Sequence, residues 1–375
     1  MKRLESLDIL RGFDLFMLTA FGPILWAFSG TGNYPWLDPV LSQCNHAQWH
    51  GFLVWDMIMP LFMFMAGVSI PFAFGKYKEE QRSNGKIYLR ILKRVLVLWV
   101  LGMVCQGNLL DFDIHTLKLY SNTLQSIAVG YLFASIFFLN TKPRTQIGIA
   151  VFLLLAYWAL MTFVSIGSYG GGDFTRDGNL CEIIDRKVLG IWRHYATFDE
   201  AGNVVFSKHY RYTWILSSLN FVATTMTGVF AGILLKDKNR TQKNKMLTLL
   251  IAGAAMIAVA LVWDIQMPII KIIWTSSMVL LTSGIAFLLL ALFYYIVDYK
   301  GWKKGLEWLK YYGMNSILAY MLVEVSFDCI FRTVLFGLEK YVGSSWYEFI
   351  VQACYVTFNF LLLRYLYKKK IFLRA

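Results

Sequence analysis

Long apolar runs recur along the whole 375-residue chain and constrain its fold more than any other feature. An α-helix needs about 20 predominantly apolar residues to cross a bilayer. Ten runs approach or reach that length, at about 9–28, 52–75, 88–106, 123–139, 147–166, 214–235, 246–263, 272–297, 312–331 and 347–367. Because lipid offers no partner for backbone polar groups, such runs form helices. The sequence therefore predicts an all-α polytopic membrane protein, a single transmembrane domain over residues 1–375 with about ten spans.

The composition supports a membrane protein and argues against a nucleic-acid-binding protein. Hydrophobic residues make up 57% of the chain and charged residues 16%, whereas soluble domains hold about 25% charged residues. The net charge of +13 comes from Lys and Arg in short segments between the apolar runs. That placement is typical of topology signals. We therefore expect a lipid bilayer, and no nucleic acid, as the partner.

The distribution of positive charge predicts the topology. Residues 29–51 contain no Lys or Arg, whereas basic residues cluster at 76–94, 236–245, 300–310 and 368–374. Cytoplasmic loops carry the excess of Lys and Arg. Both termini are thus predicted to be cytoplasmic, and His46 and His50 to lie at the outer face. The one long loop, about 167–212, is then external, and we expect it to cap or shape an outer site. The alternative is a solvated connector.

The stretch from Asn45 to Pro60 carries the strongest functional signal. His46 and His50 lie four residues apart in a polar segment that leads directly into the second apolar run. An imidazole with a near-neutral pKa can take a proton from an amine or accept an acyl group. We predict that His46 is the reacting base of a membrane transferase. The alternatives are an interfacial histidine, and a metal site with His50 and Asp56 as further ligands; we expect no metal.

Asp56 lies at the start of the second apolar run. A carboxylate there can complement the positive end of a helix, which stabilises by about 0.3–1 kcal/mol. It can also orient a histidine and stabilise the imidazolium that forms on proton abstraction. We predict the second role, because ionisable groups at membrane depth are costly and are normally functional.

Three further polar positions interrupt or border apolar runs. Arg11, three residues after Asp8, can form a local ion pair or bind a phosphate that enters from the cytoplasm. Gln125 and Asn315 can join helices by hydrogen bonds or contact a ligand. No internal repeat indicates an inverted-repeat transporter.

Several sequence blocks resemble the heparan-α-glucosaminide N-acetyltransferase family of transmembrane acyltransferases, most of all its short bacterial branch. The resemblance covers essentially the whole chain, and its most specific block is His46-Ala47-Gln48-Trp49-His50-Gly51 with Asp56 and Pro60 following. The other blocks lie in the family's order: Ser6 to Gly12, Leu124 to Ala128, Leu219 to Gly232, Lys271 to Ser277 and Gly313 to Ser316.

The resemblance implies transfer of an acetyl group from cytoplasmic acetyl-CoA to an amino sugar or glycan on the far side of the membrane. It maps the family's active histidine onto His46 and its nearby aspartate onto Asp56. Arg11 and Arg94 are our candidates for the CoA phosphates, and Gln125 and Asn315 for further donor contacts. The resemblance also makes a homodimer plausible.

The sequence departs from the family pattern at two positions. Animal-type members carry an Asn near the outer end of the first helix where this chain has Gly22, and Ser126 replaces an Arg. The one Asn-x-Thr sequon, at Asn239, falls in a predicted cytoplasmic loop. We therefore expect a bacterial cytoplasmic membrane. The alternative function is a proton-coupled transporter or flippase of a sugar or lipid intermediate, with His46 and Asp56 as its proton relay.

Overall fold

A computed structural model describes residues 4–80, 85–207 and 212–373. The chain is mostly helical, which confirms the predicted all-α class. The α-helices are α1 (Glu5–Phe16), α2 (Gly22–Ser29), α3 (Asp38–Gln43), α4 (Ile58–Glu79), α5 (Gly85–Gln106), α6 (Thr123–Asn140), α7 (Pro143–Phe163), α8 (Leu180–Leu189), α9 (Ser218–Lys236), α10 (Gln242–Trp263), α11 (Ser276–Phe293), α12 (Leu309–Met314), α13 (Ser316–Glu324), α14 (Asp328–Val334), α15 (Glu339–Val342) and α16 (Ser344–Lys368). π-helical turns at Met17–Phe21 and Tyr294–Tyr299 extend α1 and α11.

Eight helical segments of the described chain are long and apolar enough to cross a membrane, so the predicted number of ten is not confirmed. They are Glu5–Ser29, Val54–Glu79, Thr123–Asn140, Pro143–Phe163, Ser218–Lys236, Gln242–Trp263, Ser276–Tyr299 and Ser344–Lys368. The third predicted run forms α5, a 22-residue helix. It falls outside this set, and Lys86, Arg90, Lys93 and Arg94 lie in its first half. The ninth predicted run is not one helix but is divided among α12, α13 and α14.

Contacts divide the described residues into two units, so the prediction of one domain over the whole chain stays a prediction. The first unit comprises the described residues up to His46, Leu53–Ile58, and the described residues from Leu289 onward. The second comprises Ala47–Phe52 and Met59–Leu288.

In the first unit, ion pairs fix the start of α1. Glu5 accepts hydrogen bonds from Lys303, at 2.7 Å, and from Lys310. The backbone N–H of Ser6 donates to Asp298 at 3.1 Å. These contacts join the start of α1, the end of the eighth apolar run and the basic segment 300–310, all of which the charge pattern places at the cytoplasmic side.

Asn315 lies at the first of two breaks in the ninth predicted run. Its φ of −117° and ψ of 42° lie outside the helical region, between α12 and α13. Its fully buried amide donates to the Ile371 carbonyl at 3.1 Å and accepts from the Leu373 N–H at 3.0 Å. The side chain therefore holds the segment that follows α16, because both of its polar atoms pair with that backbone.

In the second unit, Gly67 of α4 and Gly228 of α9 let two helix backbones meet. A Cβ on Gly67 would overlap the Thr225 carbonyl, and one on Gly228 would overlap the Phe64 carbonyl. Glycine at these two positions therefore permits close helix packing.

Lysines at one end of the second unit cap helix C-termini. Lys78 donates to the carbonyls of Phe138 and Thr141, and Lys245 donates to the Leu235 carbonyl at 2.7 Å. Lys236 pairs with Glu79 at 2.7 Å. Lys236 and Glu79 belong to two different segments that were predicted to be cytoplasmic, so the charge pattern places on one side two residues that do contact each other. Which side of the membrane they occupy stays a prediction.

The long loop contains regular elements rather than an open connector. Short hairpins pair β1 (Ser165–Ile166) with β2 (Tyr169–Gly170), and β3 (Ala196–Phe198) with β4 (Val204–Phe206). Helix α8 lies between the hairpins and packs through Leu180 and Cys181 on a cluster that includes Tyr157 and Met161 of α7. The loop residues 208–211 lie outside the described chain.

Candidate active site

His46 and Asp56 meet in the first unit. The Nδ1 atom of His46 lies 2.7 Å from Oδ1 of Asp56. His46 follows α3 in a loop, and Asp56 belongs to a 3₁₀ turn, Val54–Met57, that leads into α4. The extended backbone at Leu53 directs its N–H to Oδ2 of Asp56 at 3.0 Å. The carboxylate thus both caps the turn and contacts the imidazole.

Burial differs sharply between the two partners. The side chain of Asp56 is 1% exposed, whereas that of His46 is 49% exposed. Since Asp56 contacts Nδ1, the other ring nitrogen, Nε2, lies on the opposite edge of a half-exposed ring. A carboxylate on Nδ1 orients an imidazole and stabilises its protonated form. The arrangement can therefore accept a proton, or an acyl group, at Nε2.

Trp55 packs against the C-terminal part of the first span in the same unit. A Cβ built on Gly22 would overlap the indole ring of Trp55. Animal-type relatives are expected to carry an Asn at this position. In this chain, the indole of Trp55, the residue next to Asp56, fills the space that a side chain at position 22 would need.

In the second unit, the rest of the His46 block is held by partners that sequence reasoning missed. Nε2 of His50 lies 3.0 Å from Oδ1 of Asp264, which also accepts the Ile269 N–H at 2.7 Å. The N–H of Gly51 donates to the Ile269 carbonyl at 2.9 Å. The only feature of the sequence that could have indicated this partner of His50 is the position of Asp264, an acidic residue directly after the seventh apolar run. Among the described residues, no group of three or more His, Cys, Asp or Glu side chains could hold a metal ion.

The long loop contacts the same block. The indole N–H of Trp49 donates to the Phe174 carbonyl at 2.9 Å, and Arg176 donates to the Gln48 carbonyl at 2.7 Å. The Arg176 guanidinium also lies 5.4 Å from the centre of the Trp49 ring. The loop therefore fixes the two residues that follow Ala47 along the chain.

The two arginines predicted to bind CoA phosphates lie in different units. Arg11 is half-buried on α1 in the first unit, where its charge acts on Asp14. Arg94 is on α5 in the second unit, and its guanidinium lies 4.2 Å from the centre of the Tyr131 ring. The phosphate-binding role of both arginines stays a prediction.

Gln125 and Asn315, predicted to contact the donor, have structural partners. Oε1 of Gln125 accepts from the N–H groups of Ser121 and Asn122 at 2.8 and 3.0 Å, and Nε2 donates to the Leu119 carbonyl at 2.8 Å. Gln125 thus forms the capping box at the start of α6. It lies in the second unit and Asn315 in the first.

Comparison with known proteins agrees with the block-by-block resemblance. A family model described as heparan-alpha-glucosaminide N-acetyltransferase, catalytic, matches residues 3–169, which include His46 and Asp56. The chain is related to this family. The human heparan-alpha-glucosaminide N-acetyltransferase is 28% identical over 417 residues, covering 99% of this chain and 59% of the human protein. The mouse protein of that name is 25% identical over 431 residues, covering 99% and 60%. The chain thus spans about three fifths of the length of these relatives.

Proposed function

We propose that this protein is a membrane N-acetyltransferase that moves the acetyl group of cytoplasmic acetyl-CoA to the amine of an amino sugar or glycan on the other side of the membrane. The observation that carries the proposal is the 2.7 Å contact between Nδ1 of His46 and the buried carboxylate of Asp56. The names of the relatives support the reaction class. The charge pattern supports the sidedness.

In a direct route, Nε2 of His46 accepts a proton from the acceptor amine while the amine nitrogen bonds to the acetyl carbon. The carbon–sulfur bond then breaks, and the CoA thiolate leaves and takes up the proton from the imidazolium. The buried Asp56 stabilises the imidazolium between these steps.

In a two-step route, Nε2 itself bonds to the acetyl carbon and CoA leaves as the thiolate. The acceptor amine then attacks the acetyl-imidazole, and its proton passes to the thiolate or to water. The contact at Nδ1 serves both routes, because each one places positive charge on the ring. Incubation with labelled acetyl-CoA, without acceptor, would separate them: labelled acetyl on His46 indicates the second route.

Donor binding is proposed at the cytoplasmic side, with Arg11 and Arg94 neutralising phosphate charge. Gln125 and Asn315 have less support as donor ligands, because their amides already pair with backbone groups. We place the enzyme in a bacterial cytoplasmic membrane, and a homodimer stays a prediction.

Reconstitution into liposomes tests the proposal. Purified wild-type protein and His46→Ala would receive labelled acetyl-CoA on one side and a panel of amino sugars on the other. We expect label on an amino sugar with the wild type and its loss with His46→Ala. Absence of both transfer and CoA binding would overturn the proposal, and proton-coupled sugar transport by the same liposomes would establish the transporter instead.

A further inference from the structure

The first span contains two buried polar side chains that the mechanism does not use. Asp14 is 2% exposed and Thr19 is 4% exposed. Within the described chain, neither Oδ2 of Asp14 nor the hydroxyl of Thr19 has a hydrogen-bond partner. Buried polar groups are nearly always paired, and the exceptions need a cause such as a missing ligand or water.

The backbone between these residues is also unusual. A π-helical turn, Met17–Phe21, interrupts the helix, and the N–H of Gly22 donates to the Met17 carbonyl five residues earlier. Such turns are rare and frequently occur at functional sites. Asp14 precedes this turn by three residues, and Thr19 lies within it.

The same span contacts the residue next to Asp56. Gly22, three residues after Thr19, meets the indole of Trp55, whose neighbour Asp56 contacts His46. At about 1.5 Å of rise per residue, about 12 Å of helix separates Asp14 from Gly22. Two buried polar groups without hydrogen-bond partners in the described chain therefore lie on the span that contacts Trp55, the neighbour of Asp56.

We infer that Asp14 and Thr19 form a binding site for the amide groups of the pantetheine arm of the acyl donor. This inference rests on the proposed function, which requires a long thioester to reach His46 from the cytoplasmic side. The arm is flexible and carries secondary amides, each with one donor and one acceptor. The Asp14 carboxylate accepts an amide N–H, and the Thr19 hydroxyl donates to an amide carbonyl.

Donors of different length test the site in full-length protein in liposomes. Acetyl-CoA and S-acetylpantetheine contain the arm, whereas S-acetyl-2-mercaptoethanol has a thioester without amides. For both donors with the arm, we expect Asp14→Leu to raise KM about tenfold or more, and the near-isosteric Thr19→Val to raise it about three- to tenfold. With the short thioester, kcat/KM should stay at the wild-type value in both variants.

Ser135 of α6 provides the matched control, because it is fully buried and its hydroxyl also lacks a hydrogen-bond partner in the described chain. Ser135→Ala should leave KM unchanged for all three donors. Equal losses in Asp14→Leu and Thr19→Val with all three thioesters would show a structural role and overturn the inference. So would unchanged KM values for the long donors, which would mean that the two groups hold only a buried water.

Binding without turnover separates this inference from the proposed function. In a His46→Ala background, Asp14→Leu should weaken the Kd of CoA by the same factor of about ten. If wild type transfers acetyl groups but the Kd is unchanged, the inference fails and the proposed function stands. If CoA binding weakens as expected while wild type acetylates nothing, the proposed reaction fails and the binding site stands. If wild type does not bind CoA, both fail.

Discussion

The indole of Trp55 packs against Gly22 so closely that a Cβ at position 22 would overlap the ring. Gly22→Asn should therefore displace Trp55 and destabilise the protein by about 1–3 kcal/mol, the usual cost of overpacking. Trp55→Ala in the same chain should recover most of the lost stability, which melting curves of the single and double variants would show. Gly30→Asn is the control, since a Cβ there meets no atom closer than 3.5 Å. An equal loss at both glycines would contradict the packing argument.

Asp185 of α8 makes stability depend on pH. Its carboxylate accepts the N–H groups of Trp214 and Ile215 at 2.9 and 3.0 Å, and burial raises its pKa to about 7 from the usual 3.8. Arg193 and Glu182 are the charged groups that act on it. Because the folded protein holds this proton more tightly than the unfolded chain does, the stabilising contribution is complete below about pH 4 and is lost as the pH rises through 7.

Melting temperatures between pH 4 and 8 would measure this dependence. The free energy of unfolding should fall by at most about 4 kcal/mol across that range, since one pKa unit equals about 1.4 kcal/mol. Asp185→Asn should flatten the profile, whereas Glu200→Gln, at an exposed position of the same loop, should leave it unchanged. A flat wild-type profile, or one that rises with pH, would contradict the assignment.

Arg176 links the long loop to the His46 block through Gln48 and Trp49. If the loop shapes the acceptor site, Arg176→Ala should raise the acceptor KM about three- to tenfold, the effect of one lost hydrogen bond. The donor KM should not change. Arg144→Ala, an exposed arginine of a predicted cytoplasmic segment, is the control. A change in donor KM alone would indicate that the loop serves another purpose.

The sequence predicted the helices better than their interruptions. Runs of about 20 apolar residues are a local signal, so most helices were found near their observed positions. The break at Asn315 depends on Ile371 and Leu373, more than 50 residues away. Nothing within the ninth run could indicate it, because the partners come together only in the folded chain.

In the candidate site, too, contacts between residues close in the sequence were easier to predict than contacts between distant residues. His46 and Asp56 are ten residues apart, and the structure brings them into contact, although their catalytic roles stay predictions. Asp264 lies 214 residues from His50, and Arg176 lies 128 residues from Gln48. Those contacts depend on the tertiary arrangement, which cannot be inferred from local patterns in a single sequence. One oxygen of Asp14 has no hydrogen-bond partner within the described residues, and no pattern in the sequence indicated this.

The central claim is that His46 and Asp56 act as one chemical unit, and kcat values of a mutant cycle test it most directly. His46→Ala should lower the kcat for acetyl transfer about 10²–10⁴-fold, the usual contribution of a general base. Asp56→Asn should also lower it, and the double variant should be no slower than His46→Ala, because residues that act together are not additive. A double variant in which the two losses multiply, or a His46→Ala variant as fast as wild type, would contradict the account.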